Sequence, residues 1–179
     1  SVECWGRDDG AFGSDYGQVT DTPSGVFTQV SAGGEHNCGI KTDGSVECWG
    51  YDYSGQSSPP SGTFTQVAAG GYHSCGITTS GSVECWGQDY YGQSTPPSGT
   101  FTQVSAGEYH SCGITSSGTV ECWGRDDGNF YYDYGQVTDT PSGSFTQVSA
   151  GYYHSCGITS SGCLLYTSDA ADDNAGVDL

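Results

Sequence analysis

Short stretches in which apolar and polar residues alternate recur along most of this chain. In one of them, Thr28, Val30 and Ala32 share one face of an extended segment. Two further short strands are expected on either side of residues 42–44, where Thr, Asp and Gly provide the chemistry of a tight hairpin turn. No segment of useful length has the 3.6-residue period of an amphipathic helix, so the pattern predicts an all-β fold.

These segments belong to one unit that occurs four times along the chain. PheThrGlnVal begins at positions 27, 64, 101 and 145, and His-x-Cys-Gly-Ile begins at positions 36, 73, 110 and 154. The spacing is 37 or 44 residues, because the loop after CysTrpGly is longer in two of the repeats. Short strands at this period are typical of β-propellers and solenoids, so we expect about four propeller-type blades in residues 1–162, starting in the middle of a blade.

The charge balance excludes several classes of partner. The 179 residues contain 3 Lys and Arg against 21 Asp and Glu, which gives a formal net charge of −18. Nucleic-acid binding and docking on an anionic membrane both need clustered cations, so we expect neither. No apolar run approaches the roughly 18 residues of a membrane-spanning helix, so we also expect no membrane insertion.

Six of the nine cysteines form pairs ten positions apart on either side of the hairpin turns. Cysteines directly opposite each other on neighbouring antiparallel strands are close to disulfide distance. We therefore predict three disulfides, each worth roughly 2–3 kcal/mol, and an oxidising compartment such as the cell exterior. Metal binding is the alternative, but the short Cys-x-x-Cys spacing typical of zinc sites is absent. The predicted pairs are Cys38 with Cys48, Cys75 with Cys85, and Cys112 with Cys122.

Two further cysteines occupy repeat positions without a partner at the usual spacing. Ten residues after Cys156 lies Tyr166, and Cys4 precedes the first complete repeat. Cys4 and Cys156 could pair within one chain and close a ring, or pair between neighbouring chains and give a head-to-tail polymer. As a third alternative, both lack partners because the four repeats are part of a longer array, and this is the reading we favour.

Aromatic side chains are abundant in the loops and are the best candidates for ligand contacts. Exposed tyrosines among serines and glycines form adaptable binding surfaces and can stack on sugars, although packing over the blade edges is the alternative. We predict a protein or glycan partner for the following residues: Tyr53, Tyr90, Tyr91, Phe130, Tyr131 and Tyr132. The His and Trp residues recur in every repeat and are therefore expected to be architectural.

The two long loops contain several aspartates, including Asp8 and Asp9 in the first and Asp126 and Asp127 in the second. Carboxylates beside glycine could bind calcium, but the spacing fits no known calcium loop, and a solvated turn paired with Arg7 or Arg125 is the simpler interpretation. We expect no metal, no cofactor and no catalytic residue.

The repeat contains Val-x-Cys-Trp-Gly, then Gly-Gln, Pro-x-Gly-x-Phe-x-x-Val and Ala-Gly-x-x-His-x-Cys-Gly-Ile, in this order throughout residues 1–162. This set resembles the repeat of the regulator-of-chromosome-condensation family, particularly its cysteine-containing bacterial and environmental versions. The resemblance implies a seven-bladed β-propeller with roughly four strands in each blade. Seven such blades need about 270 residues, so it also implies that this chain is a fragment of a seven-bladed or longer array.

Residues 163–179 have no counterpart in the repeat. Residues 163–172 resemble the translation of a transposase-type sequencing adapter, so we expect a non-repeat tail that is disordered or artefactual.

The sequence as a whole predicts a secreted, disulfide-stapled propeller module that binds a protein or glycan at the cell surface without catalysis. One alternative is a structural polymer or fibre subunit joined through Cys4 and Cys156. Another is a guanine-nucleotide-exchange regulator, as the founding member of the family is. We do not expect guanine-nucleotide exchange from this chain, because an acidic chain with paired cysteines suits neither chromatin nor a reducing nucleus.

Overall fold

The structure is a computed structural model that describes residues 1–6, 15–128 and 132–160, together with the backbone of 164–167. All its regular elements are β-strands, as the alternation predicts, and within the described ranges no helix could cross a membrane. The strands are β1 Phe27–Ala32, β2 His36–Lys41, β3 Val46–Gly50, β4 Phe64–Ala69, β5 His73–Thr78, β6 Val83–Gly87, β7 Phe101–Ala106, β8 His110–Thr115, β9 Val120–Gly124, β10 Phe145–Ala150, β11 Ser155–Thr159 and β12 Leu164–Thr167.

The twelve strands form four antiparallel sheets, one for each repeat. Sheet 1 contains β1–β3, sheet 2 contains β4–β6, sheet 3 contains β7–β9 and sheet 4 contains β10–β12, always in chain order. The family resemblance implies about four strands in each blade, and this expectation needs correction, since each sheet has three strands in the described residues. The segments between sheets are rich in Pro, Ser and Gly and form turns instead of a fourth strand.

The hairpin between the second and third strands has the predicted register. In sheet 1 the Lys41 N–H donates to the Ser45 carbonyl at 2.8 Å, and Gly44 closes the turn at φ +85°. This turn places Cys38 directly opposite Cys48, with their Cα atoms 4.1 Å apart. The same geometry recurs in sheets 2 and 3, so all three predicted disulfides are present.

A register shift between the first and second strands departs from simple alternation. In sheet 2, Phe64 lies opposite Thr78 whereas Gln66 lies opposite Ile77, and the equivalent shift occurs in every sheet. Such a bulge rotates the strand, so that Phe64 and Val67, three residues apart, enter the same core. Strict two-residue alternation could not have predicted this.

Neighbouring sheets pack on one another through repeated apolar interfaces. Between sheets 2 and 3, the Cys75 disulfide and Ile77 pack against Phe101, Val104 and Trp123 of the next sheet. The equivalent residues fill the interfaces on either side, and the first strands of the four sheets are neighbours in space. The tryptophans of sheets 2 and 3 therefore have the inter-blade packing role that their repetition predicted.

A buried histidine joins each sheet to the next one. His73 Nε2 is 2.7 Å from Ser111 Oγ of the following sheet, and His36 and His110 make the same contact. Burial disfavours the charged imidazole and lowers the pKa of His73 to about 3. The predicted architectural role of these three histidines fits this arrangement, since none of them is exposed.

The last strand of sheet 4 comes from the segment that follows the repeats. The backbone of 164–167 forms β12, which places Tyr166 opposite Cys156 in the register of the other third strands. The expected division between the repeats and a tail after residue 162 stays a prediction. Strand pairing uses backbone groups that any extended segment possesses, so even a sequence unrelated to the repeat can occupy the edge of β11. Residues 163 and 168–179 lie outside the described residues.

Candidate functional site: a surface of tyrosines

One end of the sheets gathers most of the aromatic side chains. Because the strands are antiparallel, the turn between the first two strands and the loop after the third strand meet at this end. Backbone hydrogen bonds join the two segments: the Arg125 N–H donates to the Tyr109 carbonyl at 2.9 Å, and sheets 1 and 2 repeat the contact. Side chains from both segments therefore form one surface.

A connected cluster of rings covers this end at sheets 3 and 4, and we call it the tyrosine surface. Its centre is Tyr153, whose ring centroid lies 4.3 Å from that of Tyr152 and 5.4 Å from that of Tyr134. Tyr109 stacks beside Tyr153 at 6.4 Å. The tyrosine surface comprises Tyr91, Tyr109, Arg125, Tyr132, Tyr134, Tyr152 and Tyr153.

Arg125 lies beneath these rings and supports them. Its guanidinium carbon is 4.3 Å from the ring centroid of Tyr91 and 4.8 Å from that of Tyr132. It also donates to Asp127 at 3.0 Å, the ion pair that the long loop predicted. With a side chain only 6% exposed, Arg125 stiffens the surface from below by cation–π contacts.

A second, smaller group of tyrosines lies at the same end of sheet 1. Tyr16 and Tyr51 approach to 4.2 Å between ring centroids, and Tyr53 stacks parallel to Tyr51 at 6.3 Å. Tyr72 lies between the two groups in the chain, and its pKa is raised by burial and by the nearby carboxylates Glu108 and Glu35.

The phenol groups of Tyr109, Tyr152 and Tyr153 stay protonated at neutral pH, because the pKa of each is raised above its usual value. Burial and a hydrogen bond with Tyr152 raise the pKa of Tyr153 to about 12. Burial also raises the pKa of Glu108, and the charge of Glu35 adds to this shift. The surface therefore offers neutral hydroxyls that donate and accept hydrogen bonds, with carboxylates beside them.

The predicted ligand-contacting residues do not all belong to one surface. Tyr91 and Tyr132 are part of the tyrosine surface, whereas Tyr53 belongs to the sheet 1 group and is 85% exposed. Tyr90 is 82% exposed on the loop after sheet 2. Phe130 and Tyr131 lie outside the described residues.

Sequence reasoning did not select the centre of the tyrosine surface. Tyr109, Tyr152 and Tyr153 come from the turn before the repeated His, which is part of the repeat unit. A usable signal was present: the residue before that His is Glu35 in the first repeat but tyrosine in the other three. A large side chain at a turn that varies between repeats indicates surface chemistry more than packing.

The two remaining cysteines of the repeat pattern are not bonded to each other. Cys4 and Cys156 are free thiols, each partly buried, so the disulfide that would close a ring within one chain is absent. Pairing between chains stays a prediction.

In the second long loop, the described aspartate carboxylates bind groups of the same loop. Asp127 binds Arg125, and Asp133 accepts the Gly128 N–H at 2.7 Å. In the described part of the chain, no three His, Cys, Asp or Glu side chains are grouped closely enough to hold a metal ion. Asp8 and Asp9 lie outside it.

Comparison with known proteins assigns the family. The profile of the regulator of chromosome condensation (RCC1) repeat matches residues 27–56, 64–93, 101–136 and 145–167. The chain therefore belongs to the RCC1 repeat family, and its fold is an RCC1-like part of a β-propeller. No curated protein matches the sequence.

Several solved structures share this fold. The CRINKLY WD40 ectodomain of the Arabidopsis thaliana receptor kinase ACR4 is 32% identical, with a TM-score of 0.63 over 79% of this chain and 50% of its own. The ectodomain of the Physcomitrella patens receptor kinase CR4 is 26% identical, with a TM-score of 0.67 over 83% and 42%. Prp20p from Saccharomyces cerevisiae is 18% identical, with a TM-score of 0.65 over 81% and 46%, and shows the fold alone. The chain spans at most half the length of these relatives.

Proposed function

We propose that this chain is part of an extracellular, disulfide-stapled propeller module that binds a protein or glycan partner through the tyrosine surface, without catalysis. The single observation that carries the proposal is the connected cluster of tyrosines, held from below by Arg125. The apolar cores between the sheets are built from other residues, so these rings are not needed to fill them.

The chemistry of the tyrosine surface suits binding. Tyr132, Tyr134 and Tyr152 are 44%, 48% and 51% exposed, so each ring is half available to a ligand. Tyrosine offers a large apolar face and a hydroxyl on a side chain with few rotatable bonds, which keeps the entropy cost of binding low. Ring–ring contacts restrict these side chains before a ligand arrives, which lowers the cost further.

Three observations support an extracellular location. The three disulfides are typical of oxidising compartments. The two plant relatives above are ectodomains of receptor kinases. The net charge of −18 and the scarcity of lysine disfavour chromatin or RNA as a partner.

The test is binding to an array of neutral and acidic oligosaccharides and to a displayed library of secreted-protein ectodomains. We expect wild type to bind at least one member, and Tyr134→Ser with Tyr152→Ser to lose most of that binding. Tyr90→Ser is the matched control, since it removes an exposed tyrosine outside the tyrosine surface. Binding by the double variant equal to that of wild type would overturn the proposal, as would no binding by wild type.

A further inference from the structure

The outer edge of β6, the third strand of sheet 2, has no partner strand. Within the described part of the chain, β6 pairs only with β5. The segments before and after sheet 2, residues 51–63 and 88–100, are described throughout and form no strand. Sheets 1 and 3, on either side, are both present, and neither flanking segment supplies a fourth strand to sheet 2.

The disulfide of sheet 2 shows which backbone groups of β6 face outward. Opposite residues of an antiparallel pair have closer Cα atoms at positions that are not hydrogen-bonded to each other, about 4.5 Å instead of about 5.5 Å. The Cα atoms of Cys75 and Cys85 are 4.0 Å apart, so Cys85 occupies such a position. The N–H and C=O groups of Cys85 and Val83 therefore point away from β5, and no described residue outside the sheet bonds them.

Two proline-containing segments turn this edge into a groove, which we call the β6 groove. Its walls are Ser58 and Pro60 on one side and Ser94 and Pro96 on the other, and its floor is residues 83–86. Its volume of about 390 Å³ lies within the roughly 300–1,000 Å³ of ligand sites. Proline has no N–H to donate, so these walls lie beside β6 without pairing with it as a strand.

Both walls of the β6 groove are held by hydrogen bonds. The Trp86 indole N–H donates to the Gln56 carbonyl at 2.9 Å, which fixes the first wall beside β6. In the second wall, the Ser94 N–H and the Thr95 hydroxyl donate to the Asp89 carboxylate at 2.8 and 2.7 Å. Walls that are already ordered lower the entropy cost of binding.

The acidic side chain on this strand favours a cationic occupant. Glu84 is exposed in the middle of β6, at the repeat position of Glu47. Glu47 forms an ion pair with Lys41, whereas sheet 2 has Thr78 at the lysine position. Among the described residues, Glu84 has no ion pair. In a chain with a net charge of −18, this uncompensated carboxylate attracts positive charge to the groove.

The same carboxylate disfavours a second copy of this chain as the occupant. Two β6 edges could pair antiparallel and use the outward groups of Val83 and Cys85 in both copies. That register places Glu84 directly opposite Glu84 of the other copy, and like charges in this position destabilise a strand pair. Exposed charges on edge strands prevent edge-to-edge pairing in this way.

We propose that the β6 groove binds an extended cationic segment of a partner protein, which adds to sheet 2 as a fourth strand. The backbone of this segment exchanges hydrogen bonds with Val83 and Cys85. A lysine or arginine of the segment, opposite Glu84, forms an ion pair with it. The tyrosine surface takes no part, so this proposal is independent of the binding function proposed above.

The first experiment is amide hydrogen exchange of the free chain, followed residue by residue by NMR. The amides of Val83 and Cys85 should exchange far faster than those of Glu84 and Trp86, which alternate with them and bond β5. Protection of Val83 and Cys85 in the free chain would mean that the edge is already paired, with a second copy or another segment. That result would overturn the proposal.

Binding is tested with a phage-displayed library of random peptides of about seven residues, which is long enough to cover the five residues of β6. We expect the selected peptides to carry lysine or arginine and to protect the amides of Val83 and Cys85. If none of the selected peptides protects these amides, or if the library yields no binder, the proposal is wrong.

A matched pair of variants tests the ion pair. Glu84→Lys should weaken binding of a selected peptide about tenfold, because it replaces an attraction by a repulsion. Glu121→Lys is the control, since it makes the same change of net charge at the equivalent exposed position of sheet 3. Equal losses in the two variants would assign the effect to overall charge and contradict the contact with Glu84.

Backbone N-methylation of a selected peptide tests strand addition. A strand directs every second N–H towards its neighbour, and a methyl group on that nitrogen removes the hydrogen bond. Methylation should therefore abolish binding at alternate positions of the peptide and have little effect at the positions between them. A pattern without this alternation would overturn the addition of a fourth strand.

Discussion

The two ends of each sheet differ in how strictly the repeat is kept. At the hairpin end, the turn closed by Gly44 recurs at Gly81 and Gly118 with φ of +85° to +89°. At the opposite end, the residue before the repeated His changes from Glu35 to tyrosine, and the loops that follow differ in length. The residues that join strands and sheets are therefore the same in each repeat, whereas the residues at the end with the tyrosine surface vary.

The largest effect should come from breaking a disulfide that joins the two strands of a hairpin. Cys75→Ser with Cys85→Ser removes a bond that lies within the core between sheets 2 and 3. We expect a loss of about 2–4 kcal/mol in the free energy of unfolding, measured by urea denaturation. Cys4→Ser is the control, because that thiol is free, and an equal loss in both proteins would contradict the prediction.

The second largest effect is expected at acid pH, which should destabilise the interfaces between sheets. Burial lowers the pKa of His36 and His110 to about 4 and that of His73 to about 3, below the usual 6.5. The unfolded chain therefore binds protons first as the pH falls. The stabilisation is complete above pH 6.5 and is lost progressively towards pH 4, by about 1 kcal/mol per pH unit for each histidine.

The variant His73→Gln tests this dependence on pH. Urea midpoints measured between pH 7 and pH 4.5 should fall less steeply in this variant than in wild type, because one buried titrating group is gone. A slope equal to that of wild type would rule out the buried histidines as the cause.

A smaller effect is expected from the hairpin turn. Gly81 has φ +89°, and an added Cβ would have only ordinary contacts with Thr100 at 3.5 Å, so backbone strain is the whole cost. Gly81→Ala should therefore lower stability by about 1–2 kcal/mol. Gly81→Asn should lower stability less than Gly81→Ala, since asparagine tolerates this backbone conformation. Thermal unfolding of the two variants therefore tells whether backbone strain or steric crowding causes the loss.

The smallest effect on stability should come from the tyrosine surface. Tyr134→Ser with Tyr152→Ser changes two half-exposed residues and should alter the free energy of unfolding by less than about 1 kcal/mol. Calorimetry of this double variant and of the Cys75→Ser with Cys85→Ser variant compares the two losses of stability directly. A comparable loss in both proteins would assign the tyrosines to the structural part of the repeat.

Local signals were sufficient for the hairpins and the disulfides. The spacing of ten between Cys38 and Cys48 and the glycine in the turn define the register without any distant contact. The bulge after Phe64 was not predictable in this way, because it depends on the packing of Phe64 and Val67 into one core. The tyrosine surface was found only in part, since Tyr91 and Tyr153 are distant in sequence and meet through Tyr109 and Arg125.

By itself, the sequence determined the four repeats, their strands, the paired cysteines and the family, because each depends on spacing within a single unit. Only the tertiary structure decided which side chains meet between units. It brings His73 to Ser111 and groups the tyrosines around Tyr153. The physical reason is that contacts between sheets depend on how successive sheets stack, and the spacing within one repeat does not specify this.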